Sequence, residues 1–118
     1  MMITNNPRCV ALEKACRVEH FDVSAAEILT IVRDYVHKGH RLLTHPVTSS
    51  IKPNETPYKS VIITDAPGDL DHDSVRIVES AIATYRKFAQ STFEIPQHIL
   101  EDFAEIDFNV VSNKLSYR

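Results

Sequence analysis

The periodicity of apolar and polar residues changes several times along this chain, and each change marks an element. Residues 1–4 form a short apolar run stopped by Asn5-Asn6-Pro7. Asn and Pro favour turns, so a first strand followed by a turn is expected. Pro7 suits the first turn of a helix over residues 8–15, where its missing N–H costs nothing. Residues 18–23 (VEHFDV) alternate with period two, the pattern of a second strand. Ser24-Ala25-Ala26-Glu27 then matches a capping box, in which the Ser hydroxyl accepts from an early backbone N–H and Glu27 reaches back to the Ser24 N–H. Ile28, Leu29, Ile31, Val32, Tyr35 and Val36 follow as a wide apolar stripe at helical spacing. His37 and Lys38 fall in the last turn, where cations favour the dipole, and Gly39 is a natural C-terminal cap.

Residues 41–44 (RLLT) are a short candidate strand, and residues 45–57 carry turn residues without any period. Residues 59–65 (KSVIITD) form a β-branched run that reads as a central strand. After a turn at Ala66-Pro67-Gly68-Asp69, either Asp69 or Asp71 can cap a helix over residues 72–90. Its stripe is Val75, Val78, Ala81, Ile82, Tyr85, Phe88 and Ala89. Residues 91–95 break it, and Pro96 opens a last helix whose Ile99, Leu100, Phe103, Ile106 and Val110 share a face. Strands alternating with helices imply an α/β domain: a small, mostly parallel sheet of about four strands flanked by helices, in a Rossmann-like three-layer arrangement. Short strands leave edges to be covered, so a homodimer is a candidate assembly.

At 118 residues the chain fits one domain spanning 1–118. A chain of this size buries about 65% of its unfolded surface without needing a disulfide or metal. The net charge of −3 argues against nucleic-acid or membrane binding by the body of the protein. No apolar run is long enough to span a bilayer, and the first ten residues lack a signal-peptide pattern, so a cytoplasmic protein is expected. Cys9 and Cys16 would sit about 10 Å apart along a helix, too far for a disulfide. Two free thiols in a reducing compartment are the simpler reading.

Charge changes this picture in one place. Residues 37–60 (HKGHRLLTHPVTSSIKPNETPYKS) hold Lys38, Arg41, Lys52 and Lys59 against the single acid Glu55. The segment is cationic on an otherwise acidic body, and Pro46, Pro53 and Pro57 stiffen it. A long loop inside a small domain is usually functional. The hydroxyls of Ser49 and Ser50 with Lys52 and Lys59 suit a phosphate or carboxylate. His45, Asn54, Glu55, Thr56 and Tyr58 complete the candidate ligand-binding set, Tyr58 either stacking on a ligand or pinning the loop to the body. Only Gly39 and Gly68 are present, which excludes a Walker loop or a GxGxxG turn. No cofactor is expected.

His37, His40 and His45 have the spacing HxxHxxxxH, without a nearby Cys or an HExxH pattern. The simpler account gives His37 to the helix dipole, leaves His40 exposed and bonds His45 in a turn, so no metal is expected. Asp65, Asp69, Asp71 and Asp73 lack the glycine and terminal Glu of a calcium loop and read as turn and capping residues. His45 or Glu55 as a proton carrier would make a small enzyme acting on a carboxylate or phosphate ester. Nothing in the spacing fixes such a geometry, and an exposed Glu55 pair with Lys52 or Lys59 is the plainer alternative.

Three segments, ITNNP at 3–7, RDYVHKGHRLLTHP at 33–46 and SSIKPNETPYKSVIIT at 50–64, resemble the GrdX family. These are small bacterial proteins encoded beside the selenium-dependent glycine reductase system of anaerobes. The resemblance runs from the first strand to the helix near Phe88, and KPNETPYKS is its specific part. The family has no assigned molecular activity, so no catalytic residue carries over. What the resemblance implies is a cytoplasmic accessory protein near amino-acid reduction, with glycine reductase components as candidate partners. Together with the loop, it favours an accessory protein whose residues 45–59 bind an anionic small molecule or an acidic partner. A structural subunit using the loop as an interface is a further reading.

Overall fold

The computed structural model describes residues 1–46, 58–88 and 97–116. The elements in chain order are β1 (Met2–Thr4), a 3-10 helix (Pro7–Leu12), β2 (Val18–His20), α1 (Ala25–His37), β3 (Ser60–Ile62), α2 (His72–Phe88) and α3 (Gln97–Ser116). The sheet has the order β2-β1-β3. β1 and β2 are parallel, with Ile3 opposite Glu19, and the 3-10 helix supplies the crossover that parallel pairing requires. β3 begins where β1 ends and runs back against it, pairing Thr4 with Ser60 and Met2 with Ile62.

The sheet is therefore mixed, which corrects the mostly parallel, Rossmann-like expectation, and it has three described strands rather than four. Residues 41–44 do lie along the outer edge of β3, but only Leu42 and Ile63 form a bridge. The reason is local competition from side chains. The Ile62 N–H donates to the Thr44 hydroxyl (3.0 Å), the Leu42 N–H to the Ser74 hydroxyl (3.0 Å) and the Arg41 N–H to the Thr64 hydroxyl (2.9 Å). Each takes a backbone donor that a longer ladder would need.

Both faces of the sheet are covered, which is why MMIT and SVII read as continuous apolar runs rather than alternating ones. Met1, Ile3, Val61 and Ile63 point to one face and pack with Ile28, Leu29, Val32 and Val36 of α1 and Val78, Ala81, Ile82 and Tyr85 of α2. Met2 and Ile62 point to the other, where Cys9 and Leu12 of the 3-10 helix meet Val111 and Phe108 of α3.

Ser24 caps α1 as expected, accepting from the Glu27 N–H at 3.2 Å. Its hydroxyl donates to the Glu27 carboxylate, where the capping box had Glu27 returning to the Ser24 N–H. Gly39 ends the helix at φ +109°, and a Cβ there would collide with the Gly68 carbonyl oxygen. Asp71 caps α2 through the Ser74 N–H and hydroxyl. The segment 8–15 is a 3-10 helix to Leu12 and then turns, not a full α-helix.

α3 is rotated from its expected face. Ala104 and Val111 are buried, and Phe108 packs against the second cluster, whereas Ile106 is 43% exposed. The end of α2 beyond Phe88, the break at 91–95 and Pro96 lie outside the described residues. Among the described residues no helix is long and apolar enough to cross a membrane.

Candidate functional site

Three polar residues, Thr4-Asn5-Asn6, end the most buried strand of the sheet, and all three are buried. A buried polar group costs several kcal/mol unless it is bonded, so their partners define what is built there. Asn5 bridges three segments. Its Nδ2 donates to the Val23 carbonyl (2.8 Å) and its Oδ1 accepts from the Lys59 N–H (2.9 Å). Asn6 is fully buried and reaches α3, where its Nδ2 donates to the Ala104 carbonyl (2.8 Å) and to Oδ2 of Asp107 (3.0 Å). Its Oδ1 accepts from the Arg8 N–H and so caps the 3-10 helix.

A directed chain of hydroxyls runs beside it. Ser60 Oγ donates to Oδ2 of Asp107 at 2.7 Å, because a carboxylate only accepts. Thr4 Oγ1 lies 2.6 Å from Ser60 Oγ and accepts from the Asn6 N–H at 2.9 Å, so its own proton goes to Ser60. Cys9 Sγ sits 3.4 Å from Ser60 Oγ and 3.9 Å from the same carboxylate oxygen. Burial pushes the Cys9 thiol up to about 11; the bond to Ser60 opposes this and the Asp107 charge adds to it.

The cation of the site is Lys59. The residue is only 6% exposed, yet among the described residues its ammonium has no carboxylate partner in ion-pair contact. It lies 5.6 Å from the centre of the Tyr85 ring, a cation–π placement. Burial lowers the Lys59 pKa, and the Asp107 charge partly restores it. Burial and then the Asp107 charge push the Tyr85 phenol up to about 12. Asp107 is thus the negative centre that Lys59, Tyr85 and Cys9 all sense.

Lys59 was expected as a loop cation, and the structure buries it at the loop exit beside half-buried Tyr58. Ser49, Ser50, Lys52, Asn54, Glu55 and Thr56 lie outside the described residues. His45 is exposed and lines a cleft of about 420 Å³ with Arg76, Ile77, Ser80, Ala81 and Thr84. The three loop histidines have separate surroundings. His37 approaches Glu79 at 3.6 Å. His40 corrects the exposed reading: it is buried, donates from Nδ1 to the Thr64 carbonyl at 2.7 Å and meets the Tyr35 ring edge-on.

Thr4, Asn5, Asn6, Ser60, Tyr85 and Asp107 were not singled out by the sequence as site residues. Asn5-Asn6 carries a signal, two consecutive amides closing an apolar strand, but it reads equally as a turn. Asp107 stands at helical spacing between Ala104 and Val111, a carboxylate on a buried face.

The location has topological meaning. After β1 the chain crosses to the α3 face through the 3-10 helix, and after β2 it crosses to the α1 face. In parallel α/β sheets such a change of face between neighbouring strands is the usual ligand position; here the cluster lies beside it, where β1 meets the antiparallel β3. The chain is a mixed α/β domain with a charged polar cluster at the carboxyl end of β1. The chain belongs to the GrdX-like family, whose model matches residues 1–116. No curated protein and no solved structure matches it.

Proposed function

We propose that this chain is a binding protein accessory to glycine reductase-type amino-acid metabolism. It holds a small anion, a carboxylate or phosphate, beyond the end of β1. The observation that carries this reading is Lys59: a residue that is 6% exposed, with its ammonium 5.6 Å from the Tyr85 ring centre and no ion-paired carboxylate among the described residues. A charge so largely withdrawn from water gains from a countercharge, and a bound anion would supply one. The family supports the metabolic setting, and the loop 45–59 leads directly into the site through Tyr58 and Lys59. In this reading Ser49, Ser50, Lys52, Asn54 and Thr56 add hydrogen bonds and charge from the loop. The enzymatic alternative draws less support, because the cleft that His45 lines includes none of the residues that contact Lys59.

Thermal unfolding with acetate and with phosphate, on the unaltered chain and on Lys59→Met, tests the reading. Ligand at a hundredfold excess over its dissociation constant adds about 2.7 kcal/mol, a midpoint rise of roughly 10 °C for a domain of this size. One of the two anions raises the midpoint of the unaltered chain and not of Lys59→Met. An equal rise in both proteins contradicts the assignment.

A further inference from the structure

Among the described residues, the sheet order β2-β1-β3 makes β2 the outer strand on the side of β1 away from Lys59. Its backbone groups divide between its two sides. The Met2 N–H donates to the Arg17 carbonyl (2.7 Å) and the Phe21 N–H to the Thr4 carbonyl (2.9 Å). Along a strand, the residues whose N–H and C=O face a given neighbour alternate. Glu19, between these two bonds, therefore turns its groups to β1, and Val18 and His20 turn theirs to the outside. That side is open to water: His20 is exposed, and the side chains of Arg17 and Glu19 are 66% and 33% exposed.

Charged residues on a short edge strand usually discourage pairing. Here the two charges have opposite sign and a spacing of two, so they share one face of β2, while Val18 points to the other and packs into the second cluster. Arg17 Nε donates to Oε1 of Glu19 at 2.9 Å. A second copy can add to this edge antiparallel, about a two-fold axis that sets the same patch against itself. Only residues with outward backbone groups exchange hydrogen bonds, which restricts the registers. Val18 opposite the partner's His20 sets Glu19 against the partner's Glu19. Val18 opposite the partner's Cys16 sets Arg17 against the partner's Arg17. Like charges directly opposite are destabilising. His20 opposite the partner's His20 gives neither charge an opposing one. Val18 opposite the partner's Val18 sets Arg17 against the partner's Glu19 on both sides of the axis, and the four charges alternate in sign.

From this self-complementary spacing we infer that the chain forms a two-fold dimer through β2, with Val18 at the axis and Arg17 paired to the partner's Glu19. The two sheets join in the order β3-β1-β2-β2-β1-β3, and β3, with Lys59 at its start, lies away from the seam. The strand is three residues long, so the association is weak and concentration-dependent. Sedimentation velocity of the full chain over a range of concentrations tests it. Arg17→Glu alone and Glu19→Arg alone each set like charges across the seam, and each weakens self-association about tenfold or more. In an equimolar mixture of the two variants every cross-strand pair again has opposite sign, and the mixture dimerises about as tightly as the unaltered chain. An unaltered chain that stays monomeric up to about 1 mM overturns the inference. A dimer that neither substitution weakens overturns it too. So does a mixture no tighter than either variant alone, which is what damaged folding would give.

Discussion

Lys59 and Cys9 show how single residues at one site impose opposite pH dependences. Burial lowers the Lys59 pKa, so between that lowered value and 10.5 the unfolded chain binds more protons than the folded one. Stability from this group therefore rises with pH through that window. Cys9 behaves in the opposite sense. Its thiol is at 9.0 when unfolded and about 11 when folded, so its contribution is complete below pH 9 and is lost as pH climbs toward 11. At pH 10 the loss is about 1.4 kcal/mol relative to pH 7. Urea denaturation at the two pH values measures it. Cys9→Ala is expected to be less stable at pH 7 but to lose about 1.4 kcal/mol less than the unaltered chain on going to pH 10. Lys59→Met, which removes a largely buried charge without a carboxylate partner among the described residues, is expected to raise ligand-free stability by about 1 kcal/mol in the same assay at pH 7.

At the scale of elements, the amphipathic segments were the legible part. Ser24, the α1 stripe and Gly39 announced one helix from cap to cap, and Val78, Ala81, Ile82 and Tyr85 announced the buried face of α2. Their signals are local, so they survive packing. The direction and number of strands were not legible, because pairing depends on where a chain re-enters the sheet. Thr44, Ser74 and Thr64 took backbone donors from a would-be fourth strand by contacts no local pattern encodes. α3 was misaligned for a related reason: Asp107 occupies the buried face, and a hydrophobic stripe cannot register a carboxylate. Two substitutions test the assignments that matter most for the sheet and its helices. Ile63→Ala, at a fully buried position in the first core cluster, should cost about 2–5 kcal/mol in urea denaturation. Gly39→Ala should cost about 1–3 kcal/mol, because φ +109° and contact with Gly68 both oppose a side chain. Losses well below 1 kcal/mol in either case would contradict the packing described.

For the molecule as a whole, residues from two of the three segments that carried the family resemblance meet in space. ITNNP supplies Thr4, Asn5 and Asn6, and the end of KPNETPYKS supplies Lys59 and Ser60. They meet because β1 and β3 pair at Thr4 and Ser60 and because Asn5 clasps the Lys59 N–H. Two distant segments with turn-like or loop-like sequences thus form one cluster, closed by α3 through Asp107. The proposed anion site rests on that convergence, and it can be mapped directly. In a proton–nitrogen NMR titration with acetate or phosphate, the largest amide shifts should fall on Asn5, Asn6, Lys59 and Ser60, and should vanish in Lys59→Met. Shifts centred instead on Arg76, Ser80 and Thr84, around the cleft that His45 lines, would contradict the account.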